Sequence, residues 1–221
     1  MSIILNIETS ANSCSICISE NTKILFSEVK EGFSHAEMLA PMVKRALEET
    51  KISLDALAVS MGPGSYTGLR IGTSFAKGLC FSLNIPLIAI STLKILAKKG
   101  ANKNTTIDTL IPMIDARRDE VYLQSFTSDL AEINKSTNLI LEAGSSKHLI
   151  KDNTLIIGSG SVKAQKILSP SQKLNFIHEI EASANDMPFF SHDKFAKNEF
   201  EDLAYFEPFY LKPFYTTQKK K

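Results

Sequence analysis

The stretch Gly62-Pro63-Gly64-Ser65-Tyr66-Thr67-Gly68 restricts the fold of this chain more than any other. It follows a short apolar run, Leu57 to Ser60, and opens a helical pattern from about Tyr66 to Ser82. Three glycines and a proline between a strand and a helix allow tight backbone turns and leave N–H groups free at a helix N-terminus, where an anion is well placed. Gly62, Gly64, Ser65, Thr67, Gly68 and Arg70 are therefore candidate contacts for a nucleotide or phosphate. It is not a Walker A loop, because no Gly-Lys-Ser/Thr ends it, and the three residues between Gly64 and Gly68 break a G-x-G-x-x-G. By spacing alone, a structural turn accounts for it equally well.

The flanking elements fix the fold class. Ile3 to Thr9, Ser13 to Ser19 and Lys23 to Val29 read as strands, with Glu20-Asn21-Thr22 as a hairpin turn, which makes an antiparallel meander. Ser34-His35-Ala36-Glu37 has the form of a capping box with Ser34 as N-cap. Met38, Leu39, Met42, Val43, Ala46 and Leu47 follow at helical spacing, and Pro41 inside that pattern should bend the helix or move its start. Leu87 to Ile90 reads as a strand and Thr92 to Lys98 as a third helix. Three strands, helix, strand, helix, strand, helix is the order of the ribonuclease H-like unit that actin-like and hsp70-like ATPases carry in duplicate.

The polar stretch Lys98 to Asn104 predicts a boundary, giving an N-terminal domain over 1–100 and a C-terminal one over 101–221. Beyond it, Thr109 to Ile114, Glu120 to Phe126 and Leu155 to Gly158 read as strands, with a helix near Ser161 to Leu168. Ala182 to Glu207 shows no readable period. The second half reads as a reduced copy of the first, so the expected fold is α/β and actin-like, two ribonuclease H-like domains with mixed central sheets.

Charge narrows the function. Lys and Arg total 25 against 24 Asp and Glu, a net charge of +1, whereas a chain gripping nucleic acid by itself would carry a basic excess. The terminal Lys219-Lys220-Lys221 reads as a solvated tail. Cys14 and Cys17 form a C-x-x-C with no second pair to complete a zinc site, and a strand would send them to opposite faces. No signal peptide opens the chain and no apolar run reaches the ~20 residues of a membrane helix, so a cytoplasmic protein is expected.

Gly68, Gly72 and Ala76 recur every four residues, a stripe that admits either another helix or the chain's own sheet. With Met38, Met42 and Leu69 they form the candidate partner or dimer interface. Catalytic constellations are poor. An actin-like ATPase holds magnesium and phosphates with an Asp and a glycine on its first hairpin and repeats this in the second domain. Here the positions read Glu8-Thr9-Ser10 and Asp115-Ala116-Arg117-Arg118, both without glycine. His35, His148, His178 and His192 are scattered, and no Gly-x-Ser-x-Gly elbow occurs. Arg70, Arg117 and Arg118 admit contacts to tRNA or nucleotide, but surface salt bridges are the favoured reading.

Ile4 to Ser10, Ser34-His35-Ala36-Glu37 with Leu39 and Pro41, Gly62 to Gly72, Ser91-Thr92-Leu93 and Ile114 to Tyr122 together resemble the TsaB (YeaZ) family. Glu207-Pro208-Phe209-Tyr210-Leu211-Lys212 is similar to the family's closing signature, with Lys212 in place of the common Arg and Glu8 in place of the usual Asp. The resemblance implies an actin-like fold without independent catalysis or a metal site. It implies a partner, the homologous transferase TsaD, which places threonylcarbamoyl on N6 of adenosine 37 in tRNAs reading codons that begin with A. The small ATPase TsaE joins them. It further implies a homodimer when alone, tRNA reached only through the complex, and no cofactor of its own, ADP or ATP having a place only at an interface with partners. TsaD's His-x-x-x-His metal ligands correspond here to Thr92 and Leu96. The competing class is an actin-like phosphotransferase or M22-type metallopeptidase with its own activity.

Overall fold

The computed structural model describes residues 2–32, 34–103, 106–142, 153–168 and 174–212. The tail Lys219-Lys220-Lys221 and His148 lie outside them. Ile3–Glu8 (β1), Cys14–Glu20 (β2) and Lys23–Lys30 (β3) form the expected antiparallel meander. Ala56–Gly62 (β4) pairs parallel with β1, and Leu87–Ser91 (β5) parallel with β4, giving the order β3-β2-β1-β4-β5.

The strand period of two divides the sheet's side chains between two cores. Leu5, Ile7, Ile16, Ile18, Leu57 and Val59 point to one face. There they meet Leu39, Met42, Val43 and Ala46 of His35–Thr50 (α1) and Ala76 and Cys80 of Tyr66–Leu83 (α2). Each such aliphatic side chain stabilises the fold by ~1.5–3 kcal/mol when fully buried. Ile4, Cys17, Ala56, Ala58, Ile88 and Ile90 point to the other face, where Thr92–Lys103 (α3) packs. Cys14 and Cys17 therefore sit in separate cores as free thiols, and burial pushes them up to about 11 and about 12.

The second half repeats this plan. Its strands are Thr109–Asp115 (β6), Glu120–Leu123 (β7), Phe126–Thr127 (β8), Thr137–Ile140 (β9), Thr154–Ile157 (β10) and Leu174–Ile177 (β11). The path β9-β7-β6-β10-β11 has the same sequence of antiparallel and parallel pairings as the first sheet, with β8 beside β6. Ser161–Ile167 (α4) joins β10 to β11 as α2 joins β4 to β5. Among the described residues no helix stands between β9 and β10, where the first half has α1. This is the expected actin-like α/β architecture, with a reduced second unit.

One expectation needs correction and two are narrowed. Ser34 is the N-cap of α1, but its hydroxyl caps nothing, and its carbonyl accepts the Glu37 and Met38 amides instead. At φ −85°, ψ 36° it lacks the extended backbone that turns an N-cap hydroxyl toward the first turn. Pro41 does not move the helix start, since α1 runs through it on an exposed position. The polar stretch from Lys98, read as a boundary, is helical for most of its length, because α3 continues to Lys103. Ala97 and Gly100 are buried there, so the polar residues are the outer face of an amphipathic helix. Phe126, Leu110 and Leu155 share the core that α3 fills against the first sheet.

Residues 182–196, without a period in the sequence, return to the first sheet. They form a 3₁₀ turn at Ala184–Asp186 and the helix Pro188–Ala196 (α5). Ala182, Ala184, Met187 and Phe190 complete the core around Ile4 and Ile88. His192 of α5 sits between the hydroxyls of Ser2 and Ser19, at 2.8 and 2.9 Å, and burial holds its pKa below the ordinary histidine value.

Candidate functional site

The glycine-rich loop is occupied from both sides by the chain itself. Ser65 caps α2, its Oγ accepting the Gly68 amide at 3.3 Å. The β1–β2 turn presses against this helix start: the Ser65 amide donates to Ser10 O at 2.7 Å and Thr9 Oγ1 donates to Gly68 O at 2.8 Å. A Cβ at Gly64 would lie 2.5 Å from Ser10 O, one at Gly68 1.9 Å from Thr9 O, and one at Gly72 2.2 Å from Thr9 Oγ1. The small residues thus let α2 approach the first hairpin, not a partner helix. Of the candidate interface residues, Met42, Gly68, Leu69, Gly72 and Ala76 are buried within the chain, and Met38 alone is exposed, at 39%.

The C-terminal segment closes the loop's other side. The Phe209 amide donates to Met61 O at 2.7 Å, and a Cβ at Gly62 (φ +110°) would lie 2.6 Å from Phe209 O. Tyr66 stacks on Tyr210 with centroids 4.2 Å apart, and its hydroxyl donates to Lys212 O at 3.1 Å. Arg70 reaches the Tyr210 hydroxyl and lies 5.4 Å over the Tyr66 ring. Lys212 pairs with Glu120 of β7, so the segment straps the two halves together. The cavity left between strap and loop is about 10 Å³, room for one water at most. Thr67 is exposed and takes no part.

The first hairpin is also filled. Glu8 is fully buried, and its Oε1 accepts the Ser10 amide while Oε2 has no hydrogen-bond partner. Burial pushes its pKa up, against the hydrogen bond from the Ser10 amide and with the help of the Glu181 charge. The Glu181 carboxylate accepts the Asn12 and Ser13 amides at 3.3 and 3.0 Å. Amides that could receive a phosphate are thus held by two of the chain's own carboxyl groups, and a phosphate there would meet the Glu181 charge. The residues present do not fit a nucleotide in this cleft.

The second hairpin is different. The Asp115 carboxylate accepts the Arg117 amide at 2.7 Å and Lys163 Nζ at 2.6 Å. Arg117 and Arg118 are exposed and make no ion pair among the described residues, and Arg70 makes none there either. Ser161 Oγ lies 2.8 Å from His178 Nδ1, but Ser161 is fully buried and ties α4 to the end of β11. Thr92 and Leu96 are both buried at the start of α3. Among the described residues no three His, Cys, Asp or Glu side chains gather as metal ligands.

What the chain presents outward is the far face of α1 and α2. Ser74, Gly78 and Phe81 fall on one side of α2 by their spacing. Phe81 is 82% exposed, Leu83 46%, and a Cβ at Gly78 would meet nothing within 4 Å. An exposed glycine in mid-helix costs ~1 kcal/mol against alanine, so packing within the chain does not explain it. The sequence reading misses Phe81 and Gly78, because both lie off the period of the buried stripe it follows, on the exposed side of the helix.

A family model for the tRNA N6-adenosine threonylcarbamoyltransferase TsaD matches residues 32–208. The TsaB of Buchnera aphidicola subsp. Schizaphis graminum, a tRNA threonylcarbamoyladenosine biosynthesis protein, is 31% identical over 188 residues, which is 77% of this chain and 86% of that one. The chain belongs to the TsaB (YeaZ) family. The TsaB of Buchnera aphidicola subsp. Acyrthosiphon pisum is 38% identical over 128 residues, and the match spans 58% of that protein and 57% of this chain. The solved structure of YeaZ from Pseudomonas aeruginosa superposes with a TM-score of 0.83 at 26% identity, over 96% of this chain and 100% of that one. As a TsaB-family member the chain has, among its described residues, no helix long and apolar enough to cross a membrane.

Proposed function

We propose that this chain is a non-catalytic subunit for N6-threonylcarbamoyladenosine formation at position 37 of tRNAs reading codons that begin with A. It binds and supports a TsaD-type transferase in the cytoplasm, together with TsaE, and forms a homodimer when alone. The observation that carries the proposal is the bare α1–α2 face, where Met38, Gly78, Phe81 and Leu83 expose apolar surface and a helix close-approach point with no internal purpose. One face serves both partners, so TsaD displaces the second copy. The occupied loop and hairpin support the absence of a separate activity, and any ADP or ATP belongs at an interface with the partners.

Reconstitution tests this. TsaD and TsaE of the same organism are assayed for threonylcarbamoyl transfer to tRNA with and without this chain. The chain alone is expected to be inactive, and TsaD with TsaE to need it. Transfer at full rate without the chain would contradict the proposal, as would ATP hydrolysis or peptide cleavage by the chain alone.

A further inference from the structure

We propose that Arg117 and Arg118, at the tip of the β6–β7 hairpin, contact the phosphate backbone of the RNA on which the complex acts. This rests on the reading above that the chain works with TsaD on tRNA, and it replaces the expectation that RNA is reached only through the partner.

The backbone provides the first argument. The hairpin closes through the Ala116 amide on Glu120 O at 3.0 Å and the Glu120 amide on Arg117 O at 3.2 Å. Between them Arg117 and Arg118 both take left-handed conformations, φ +67° and +49°. Glycine or asparagine occupies such positions with less strain, so turn geometry does not select two long cationic side chains. Strain of this kind is kept where the side chains have work to do.

Charge provides the second. The neighbouring acids are engaged elsewhere: Asp115 holds Lys163, and Glu120 holds Lys212 and accepts from Asn138 Nδ2 at 2.7 Å. Asp119 is exposed, uses its carbonyl for the Leu141 amide, and makes no ion pair among the described residues. Two guanidinium groups without an acidic partner among the described residues are thus presented side by side, while Lys163 Nζ fixes the tip by donating to Arg118 O. Guanidinium forks match phosphate oxygens bidentately. Arg117, Arg118 and Asp119 are all exposed at the tip of the hairpin. That suits a backbone that passes over it better than a single nucleotide that must be enclosed. With the whole chain at +1, the contact adds to RNA affinity in the complex and does not hold RNA alone.

The test is the double variant Arg117→Gly/Arg118→Gly, which keeps the turn because glycine suits both left-handed positions. Its melting temperature is expected to equal or exceed that of the wild type. Assembly with TsaD is read by light scattering, then tRNA binding to the assembled complex by fluorescence anisotropy across a salt series. Affinity should fall about 10-fold and the slope of log K against log salt should shrink by about 1 or more. The double variant Arg117→Lys/Arg118→Lys, which keeps both positive charges, should retain the wild-type slope. An assembled glycine-variant complex with wild-type affinity and slope overturns the proposal. So does displacement of the RNA by ADP at constant ionic strength that the glycine variant abolishes, which would make the tip a nucleotide site. Failure of the wild-type chain to assemble with TsaD would instead overturn the partner reading.

Discussion

Replacing Gly68 with alanine tests why α2 carries small residues on its inner face. In an ordinary helix interior the change stabilises by ~1 kcal/mol. Here the new Cβ would stand 1.9 Å from Thr9 O and 3.1 Å from His35 Cδ2. Reaching an ordinary contact near ~3.5 Å requires helix and hairpin to part by about 1.6 Å. That separation breaks the Thr9 Oγ1 bond to Gly68 O and the Ser65 amide bond to Ser10 O. Each is worth ~1 kcal/mol net, and overpacking strain adds ~1–3 kcal/mol. The clash therefore outweighs propensity, with a net loss of ~3 kcal/mol, or ~6–12 °C in Tm for a chain of this size. Gly78→Ala in the monomeric Phe81→Asp background is the matched control, because open space surrounds that position within the chain and no partner helix then approaches it. It should raise Tm by ~2–4 °C. Calorimetry on both variants is run at one protein concentration, since dimerisation shifts Tm by mass action. A Gly68→Ala protein as stable as the wild type would refute the reasoning.

Three further outcomes follow from polar groups that the fold holds in place. Glu8 has a raised folded-state pKa, so stability falls as pH rises from its ordinary 4.5 through the folded value. Glu8→Gln keeps the acceptor for the Ser10 amide and removes that loss; urea melts should show it more stable than wild type at neutral pH but not below pH 4.5, and a less stable variant at neutral pH would sink the idea. His192 acts in the opposite sense: held neutral, it costs stability as pH falls through its ordinary 6.5, and His192→Gln should flatten that limb of the pH–stability curve. Glu181→Ala frees the Asn12 and Ser13 amides, whose hydrogen exchange should then quicken, whereas unchanged exchange would mean that the carboxylate does not hold the hairpin.

Much of the fold can be read from local pattern. The meander shows because Leu5 and Ile7 alternate with Ile4 and Asn6 across a sheet buried on both faces. α2 shows because the glycine-rich loop announces its start and Gly68, Gly72 and Ala76 recur at helical spacing, although the Ser65 cap shows only in the structure. α3 reads as shorter than it is because Lys98 and Lys99 look like a linker until Gly100 is seen buried against Leu110 and Ile157. Residues 182–196 are opaque because tertiary partners define them, such as the His192 contacts with Ser2 and Ser19, 190 and 173 residues away in sequence. The same limit applies to the site. A stripe of small residues announces close approach but not what approaches, and Thr9 answers where a partner helix and the chain's own sheet were both open. The pairing of Glu181 with the first hairpin joins residues 168 and 169 apart, beyond any local signal.

The most direct test of the partner role is size-exclusion chromatography with light scattering, on the wild type and on Phe81→Asp, each alone and mixed with TsaD. Phe81 is 82% exposed, so the substitution leaves the core untouched. The account predicts a wild-type homodimer that converts to a heterodimer with TsaD, and a folded Phe81→Asp monomer that ignores it. A variant that dimerises and binds TsaD like the wild type would contradict the account, as would a wild-type monomer indifferent to TsaD.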